Sequence, residues 1–145
     1  MPDSQAYAEL NKHWKSVCSA LLGDEVGELS DYSKWLYEGN GPRSMGKTAS
    51  GRDVVFADQK YPASAPKLSL DEVDFDKKYA PLDINEIKDI DSIFGAISDR
   101  VAYTGNIALG NSKFVDDSTT ITECFYVYHS ERVAFSKYVA YCSRG

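Results

Sequence analysis

From Leu109 to Cys142 the chain repeats every six residues. Leu109, Val115, Ile121, Val127, Val133 and Val139 form one column, and Ser112, Ser118, Cys124, Ser130, Ser136 and Cys142 form a second, three residues out of step. Merged, the columns place an inward-looking residue at every third position, alternately branched and small. Six is a multiple of two, so strand alternation alone leaves a trace at this period. It does not explain why Ser or Cys alternates with Val or Ile at a spacing of three. An α-helix fits worse, because three residues per turn drift around the helical cylinder. Fixed periods mark repeat architectures, in which each unit buries its face only against its neighbours. The segment is also rich in valine, tyrosine and phenylalanine, which favour strands.

These patterns predict an α+β chain: a helical N-terminal region followed by a C-terminal β-solenoid of six-residue units. The alternative is an antiparallel β meander. In a solenoid the branched residue fills the interior, and Ser or Cys sits near the corner. Ile121, Val127, Val133 and Val139 are then buried, while Glu131 and Lys137 are exposed. Phe114, Tyr126 and Tyr138 lie twelve apart, as do Arg132 and Arg144, which favours two hexads per coil. An eighteen-residue coil would instead stack Cys124 over Cys142. The period is shared with hexapeptide-repeat solenoids, but the small residue falls in a different phase, so no family is assigned.

The remaining chain divides into three parts. Residues 1–40 read as a helical hairpin. Tyr7, Leu10, Trp14, Val17, Cys18 and Leu21 follow helical spacing over 4–22, with Asp3 or Ser4 to start the helix and Gly23 to stop it. Leu29, Tyr32, Trp35 and Leu36 mark a second helix ending at Gly39. Residues 41–69 read as loop and linker, with a strand candidate at Asp53–Ala57 and an extended stretch over 58–69. Residues 70–101 form an acidic segment. Leu70–Phe75 reads as a strand or edge ribbon, and Ile84, Ile87, Ile90, Ile93, Phe94 and Ile97 predict an amphipathic helix over 82–98 that depends on packing. Residues 102–145 hold the hexads.

Net charge is -6, and residues 70–111 carry nine acids against four bases. That balance weighs against nucleic acid as a partner. Three cysteines without a C-x-x-C pair fit a reducing compartment, so an intracellular (cytoplasmic) or viral setting is expected. The polar N-terminus reads as no signal peptide, and no apolar run approaches bilayer length.

Gly41-Pro-Arg-Ser-Met-Gly-Lys-Thr48 matches the phosphate-loop pattern, which would use Gly41, Gly46, Lys47 and Thr48. Such a loop needs a buried strand before it and a helix from Lys47. The surrounding sequence supplies neither, and a flexible basic loop is the expectation. Ser44–Lys47 also fits S-x-x-K, without that motif's partners. Asp74-Phe-Asp76 and Asp89-Ile-Asp91 lack the acid-glycine pair of calcium loops. His13 and His129 lack zinc spacing, and His129, between inward columns, should point outward. No catalytic residue, metal or cofactor is assigned.

The expected role is a non-enzymatic structural or protein–protein interaction module of a larger assembly. The last hexads lack a cap, so a protein partner, a second copy or further coils should cover that edge. Phe114, Tyr126, Tyr138 and Arg144 are the candidate interaction residues. The alternatives are a solenoid transferase, with His129 as its one candidate base, a phosphate-loop nucleotide-binding protein, or a glycan-binding solenoid whose tyrosines stack on sugars.

Overall fold

The computed structural model of the protein describes residues 4–24, 26–40, 43–57 and 65–145. The chain begins with α1, Gln5–Leu22. Ser4 starts it by accepting the Tyr7 N–H at 3.1 Å, and Gly23 ends it in the left-handed region at φ 76°, where glycine has no Cβ to clash. Tyr7, Leu10 and Cys18 are buried as their spacing predicts, whereas Val17 and Leu21 on the same stripe are 54% and 78% exposed. A 3-10 turn over Leu29–Tyr32 leads into the short α2, Ser33–Glu38. The Trp14 indole N–H donates to the Gly27 carbonyl at 3.2 Å and holds the turn against α1.

Residues 39–52, expected as loop, contain β1, Ser44–Lys47, which pairs antiparallel with β2, Asp53–Phe56. The physical reason lies in β2: Val54, Val55 and Phe56 are all buried, and a strand buried there needs a backbone partner. The expected extended stretch over 58–69 lies outside the described residues up to 64, and at its end β3, Lys67–Ser69, pairs parallel with β4, Tyr103–Gly105. Leu70–Phe75 is no strand. Ser69 and Glu72 form a capping box, with the Ser69 N–H donating to Glu72 Oε2 at 2.9 Å, and this starts a 3-10 turn over Leu70–Glu72.

The single helix expected over 82–98 is also corrected. It is a 3-10 turn, Ile84–Glu86, and a separate α3, Ile90–Ile97. Asp89 accepts the Ser92 N–H at 2.8 Å, while the Ser92 hydroxyl oxygen accepts the Asp89 N–H at 2.9 Å. That reciprocal cap fixes a helix start at residue 90. Ile84, Ile90 and Phe94 are 81%, 70% and 64% exposed, so the periodicity is present without the packing it was expected to depend on.

The C-terminal region is built from β5 (Ala108–Leu109), β6 (Lys113–Asp116), β7 (Thr119–Thr122), β8 (Phe125–Tyr128), β9 (Glu131–Ala134) and β10 (Lys137–Ala140). Every pair among them is parallel, which excludes the meander. Alternate strands share a sheet, in the orders β5-β7-β9 and β6-β8-β10, and both sheets are open. Partners lie twelve residues apart, as in Val115↔Val127↔Val139 and Ile121↔Val133.

Both columns point inward. Ser118, Ile121, Cys124, Val127, Ser130 and Val133 are buried, Val139 is half-buried on the outer rung, and Leu109 is 49% exposed. Lys137 is exposed as expected, but the Glu131 side chain is only 14% exposed and pairs with Arg132 at 2.7 Å. The serines do more than fit. The Ser118 hydroxyl donates to the Asp116 carbonyl at 2.7 Å and accepts the Ser130 N–H at 2.9 Å. Ser130 repeats this one rung on, donating to Tyr128 at 2.9 Å and accepting the Cys142 N–H at 3.1 Å. Each such hydroxyl satisfies a corner N–H that the strand ladder does not reach.

An inward residue at every third position is incompatible with a flat pleat, and the backbone shows how the chain manages it. From Phe114 to Tyr141 every third residue has a positive φ, between 43° and 58°, and none is glycine. Each left-handed residue acts as a bulge that resets the alternation, so two residues face outward for each one inward. Each also costs about 1–2 kcal/mol for an L-residue. Ring stacking between rungs offsets part of this cost: Phe114–Tyr126 and Tyr126–Tyr138 have centroids 4.7 and 5.2 Å apart and planes within 10°.

Val133→Asp buries an unpaired charge and should lower stability by roughly 4 kcal/mol or more, read as loss of cooperative melting in this region. Ser130→Ala, by leaving the Cys142 N–H unpaired, should cost roughly 1–3 kcal/mol in denaturant titration, and the half-buried Ser136→Ala less than about 1 kcal/mol.

Candidate functional site

The helical region and the β6-β8-β10 sheet share a core of Tyr7, Leu10, Leu29, Tyr128 and Tyr141, with Trp14, Leu36, Tyr37, Tyr126 and Ala140 packed around it. At its rim sits the principal buried titratable cluster. His129 is at a left-handed corner, φ 48°; it points out of the strand stack as its place between the inward columns predicts, yet its side chain is only 17% exposed because other residues cover it. Its ring lies 4.0 Å from that of Tyr128, 5.3 Å from Tyr141 and 5.4 Å from Tyr37. Column spacing alone could not show this, because the ring is covered by residues more than eighty positions away.

Arg43 closes the cluster. One guanidinium nitrogen donates to His129 Nδ1 at 2.7 Å and to the Tyr37 hydroxyl at 3.1 Å, and the other donates to the Asp117 carbonyl. Arginine is only a donor, so Nδ1 accepts and the proton of the neutral ring sits on Nε2. Burial, reinforced by the Arg43 charge and opposed by the Asp117 carboxylate, holds the His129 pKa down at about 4. Burial pushes the Tyr128 hydroxyl up to about 12, and Tyr141 and Tyr37 are raised for the same reason. The Nδ1 lone pair is occupied by Arg43, which removes it from service as a general base. The cluster works as a clamp tying the segment after α2 to the stacked strands.

The phosphate-loop residues do not assemble a cradle. Gly41 lies outside the described residues. Gly46 and Lys47 are in β1, and Thr48, which is buried, donates its backbone N–H to the Arg52 carbonyl at 2.9 Å in the turn to β2. No helix follows Lys47, whose Nζ pairs with Asp53 at 2.7 Å. Among the described residues no group of three His, Cys, Asp or Glu side chains is placed to hold a metal ion. Cys18, Cys124 and Cys142 are free thiols. No described helix is long and apolar enough to cross a membrane.

The aromatic column is less open than the sequence suggests. Both faces of Tyr126 are taken by Phe114 and Tyr138, leaving none for a sugar, and the His13 ring meets Tyr138 at 4.1 Å. Tyr138 remains 45% exposed, and Arg144 is exposed. The feature that sequence reasoning missed lies beside them. A cavity of about 300 Å³ opens between the helices and the last strand, lined by Leu10, Trp14, Val17, Leu36, Tyr138 and Ala140. Its origin is legible in one column: Ala140 stands on the rung above Tyr128 and leaves that ring's volume unfilled.

Two outcomes follow. The folded-state pKa of His129 lies below its ordinary value of 6.5, so the neutral ring's contribution to stability is complete above pH 6.5 and is lost as pH falls toward 4. Thermal melts between these limits should fall more steeply for the native protein than for His129→Gln, which keeps an acceptor for Arg43 but does not titrate. Lys47→Ala removes only an exposed pair and should change stability by less than about 0.5 kcal/mol, with no saturable ATP binding before or after the change.

Comparison with known proteins returned no family model, no curated protein and no solved structure that matches this chain.

Proposed function

We propose that the protein is a non-enzymatic assembly module, a helix-buttressed β-solenoid with two hexads per coil that binds a protein partner through its C-terminal edge. The observation that carries this reading is the edge itself. β10 and β6 are each bonded to β8 alone in their sheet, and at β10 the adjoining cavity is lined by the apolar side chains of Trp14, Val17 and Leu36. Val17, Leu21, Leu22 and Trp35 on the helices, and Phe135 at the corner before β10, are 54%, 78%, 69%, 67% and 81% exposed. Exposed strand edges beside apolar surface mark association sites. The stacked strands supply a rigid scaffold, and the His129 clamp joins the helices to it. Three free thiols favour a reducing setting, inside a cell or within a viral or other assembly.

Sedimentation over a hundredfold concentration range tests this. The protein should self-associate or bind a partner, and Leu21→Asp with Leu22→Asp should weaken that without lowering the melting temperature. A strictly monomeric protein with slow amide exchange through Val139 to Cys142 would show that the edge is protected internally, and the reading would fall.

A further inference from the structure

The cavity beside β10 defines what fits there more closely than exposure alone. Its floor consists of Tyr138, Ala140 and Tyr141, the outermost rungs of three outward columns. One rung earlier the same columns carry Tyr126, Tyr128 and His129, and these are packed. Its wall is α1, which runs on past the stack: Tyr7 meets β8 through Tyr128, His13 meets β10 through Tyr138, and Val17 lines the cavity one turn further. The helix therefore covers a place where one more strand would lie. Resting on the assembly reading above, we propose that β10 and this cavity form an acceptor for an extended β-strand of another polypeptide, which adds alongside β10 and inserts a large apolar or aromatic side chain over Ala140.

Two further observations shape the occupant. The strand edge recognises backbone, so the incoming segment must offer unblocked N–H and C=O groups. From Arg132 to Gly145 the chain carries Arg132, Lys137 and Arg144 and no acid, in a protein of net charge -6. Lys137 and Arg144 are both exposed. An incoming strand with an acidic residue flanking its aromatic complements this edge. The opposite edge strand, β6, is also bonded to β8 alone, but the groove at its Val115 and Asp116 carries Asp53, Asp71 and Asp117 as well and disfavours an acidic strand, and beside β5 Asn106 bonds to both Val55 and Asp53 of β2.

The test uses a peptide that copies one rung pair of the chain, residues 119–130 with Cys124→Ser, which carries Glu123, Tyr126 and Tyr128. Trp14 lines the cavity and reports through its emission. The full protein should show a saturable emission change with micromolar affinity. The same peptide with Val127→Pro, which removes a ladder donor, should lose at least tenfold in affinity. The protein variant Ala140→Tyr, which refills the volume, should melt higher and bind the peptide at least tenfold more weakly. No emission change up to about 1 mM peptide, or equal binding of the proline peptide, overturns the proposal. If the peptide fails while the protein still associates in a manner weakened by Leu21→Asp, strand addition is wrong and the assembly reading stands.

Discussion

An inward residue at every third position is the constraint from which the rest of this structure follows. A pleated strand turns its side chains over with a period of two, so a period of three requires an interruption in every triplet. The interruption is a left-handed residue, repeated from Phe114 to Tyr141 with φ near 50°. Non-glycine residues adopt that conformation only when their surroundings over-determine it. Here the surroundings are the stacked rungs. Valine and isoleucine exclude water inside, serine hydroxyls bridge corner to corner, and rings stack outside with nearly parallel planes. No single rung could hold its own backbone, so the strands are cooperative by necessity.

The helices answer a second need. A stack two strands thick has little interior, and small domains bury proportionally less surface than large ones. The outward face of β6-β8-β10 is therefore apolar in its own right, and α1 with the Leu29 turn converts it into a second core around Tyr7, Leu10 and Tyr128. The Arg43–His129 contact fastens that arrangement at its edge. Its strength depends on a neutral imidazole, which links the join between helices and strands to acid pH through one residue.

The two ends of the stack are treated differently, and this difference carries the functional proposal. At one end β2 and Asn106 supply backbone partners, and Gly105 permits the contact because a Cβ there would lie 2.3 Å from the Val55 carbonyl. At the other, β10 has one partner, and the alanine at residue 140 leaves a cavity where a tyrosine stands one rung before. The two edge strands of the β6-β8-β10 sheet therefore differ in what lies beside them: several acidic side chains at β6 and an apolar cavity at β10.

The sequence by itself determined the inward columns, the twelve-residue recurrence of rings, and the limits of α1, because each rests on local spacing or on a cap within a few residues. Ser4, Gly23 and the serine column were legible for that reason. It overstated the acidic helix, since hydrophobic period reports a potential face and not whether anything packs on it; Ile90 and Phe94 lie exposed. Only the tertiary structure decided that Ser44–Lys47 is a strand, that His129 is covered, and that a cavity opens beside Tyr138. Each of these depends on residues distant in the chain: β2 is held against Gly105 and, so buried, recruits its neighbour β1, Arg43 and Tyr37 reach His129 from the N-terminal half, and α1 walls a volume beside Ala140. Spacing within one segment encodes which side a residue faces, but what it faces is set by long-range packing.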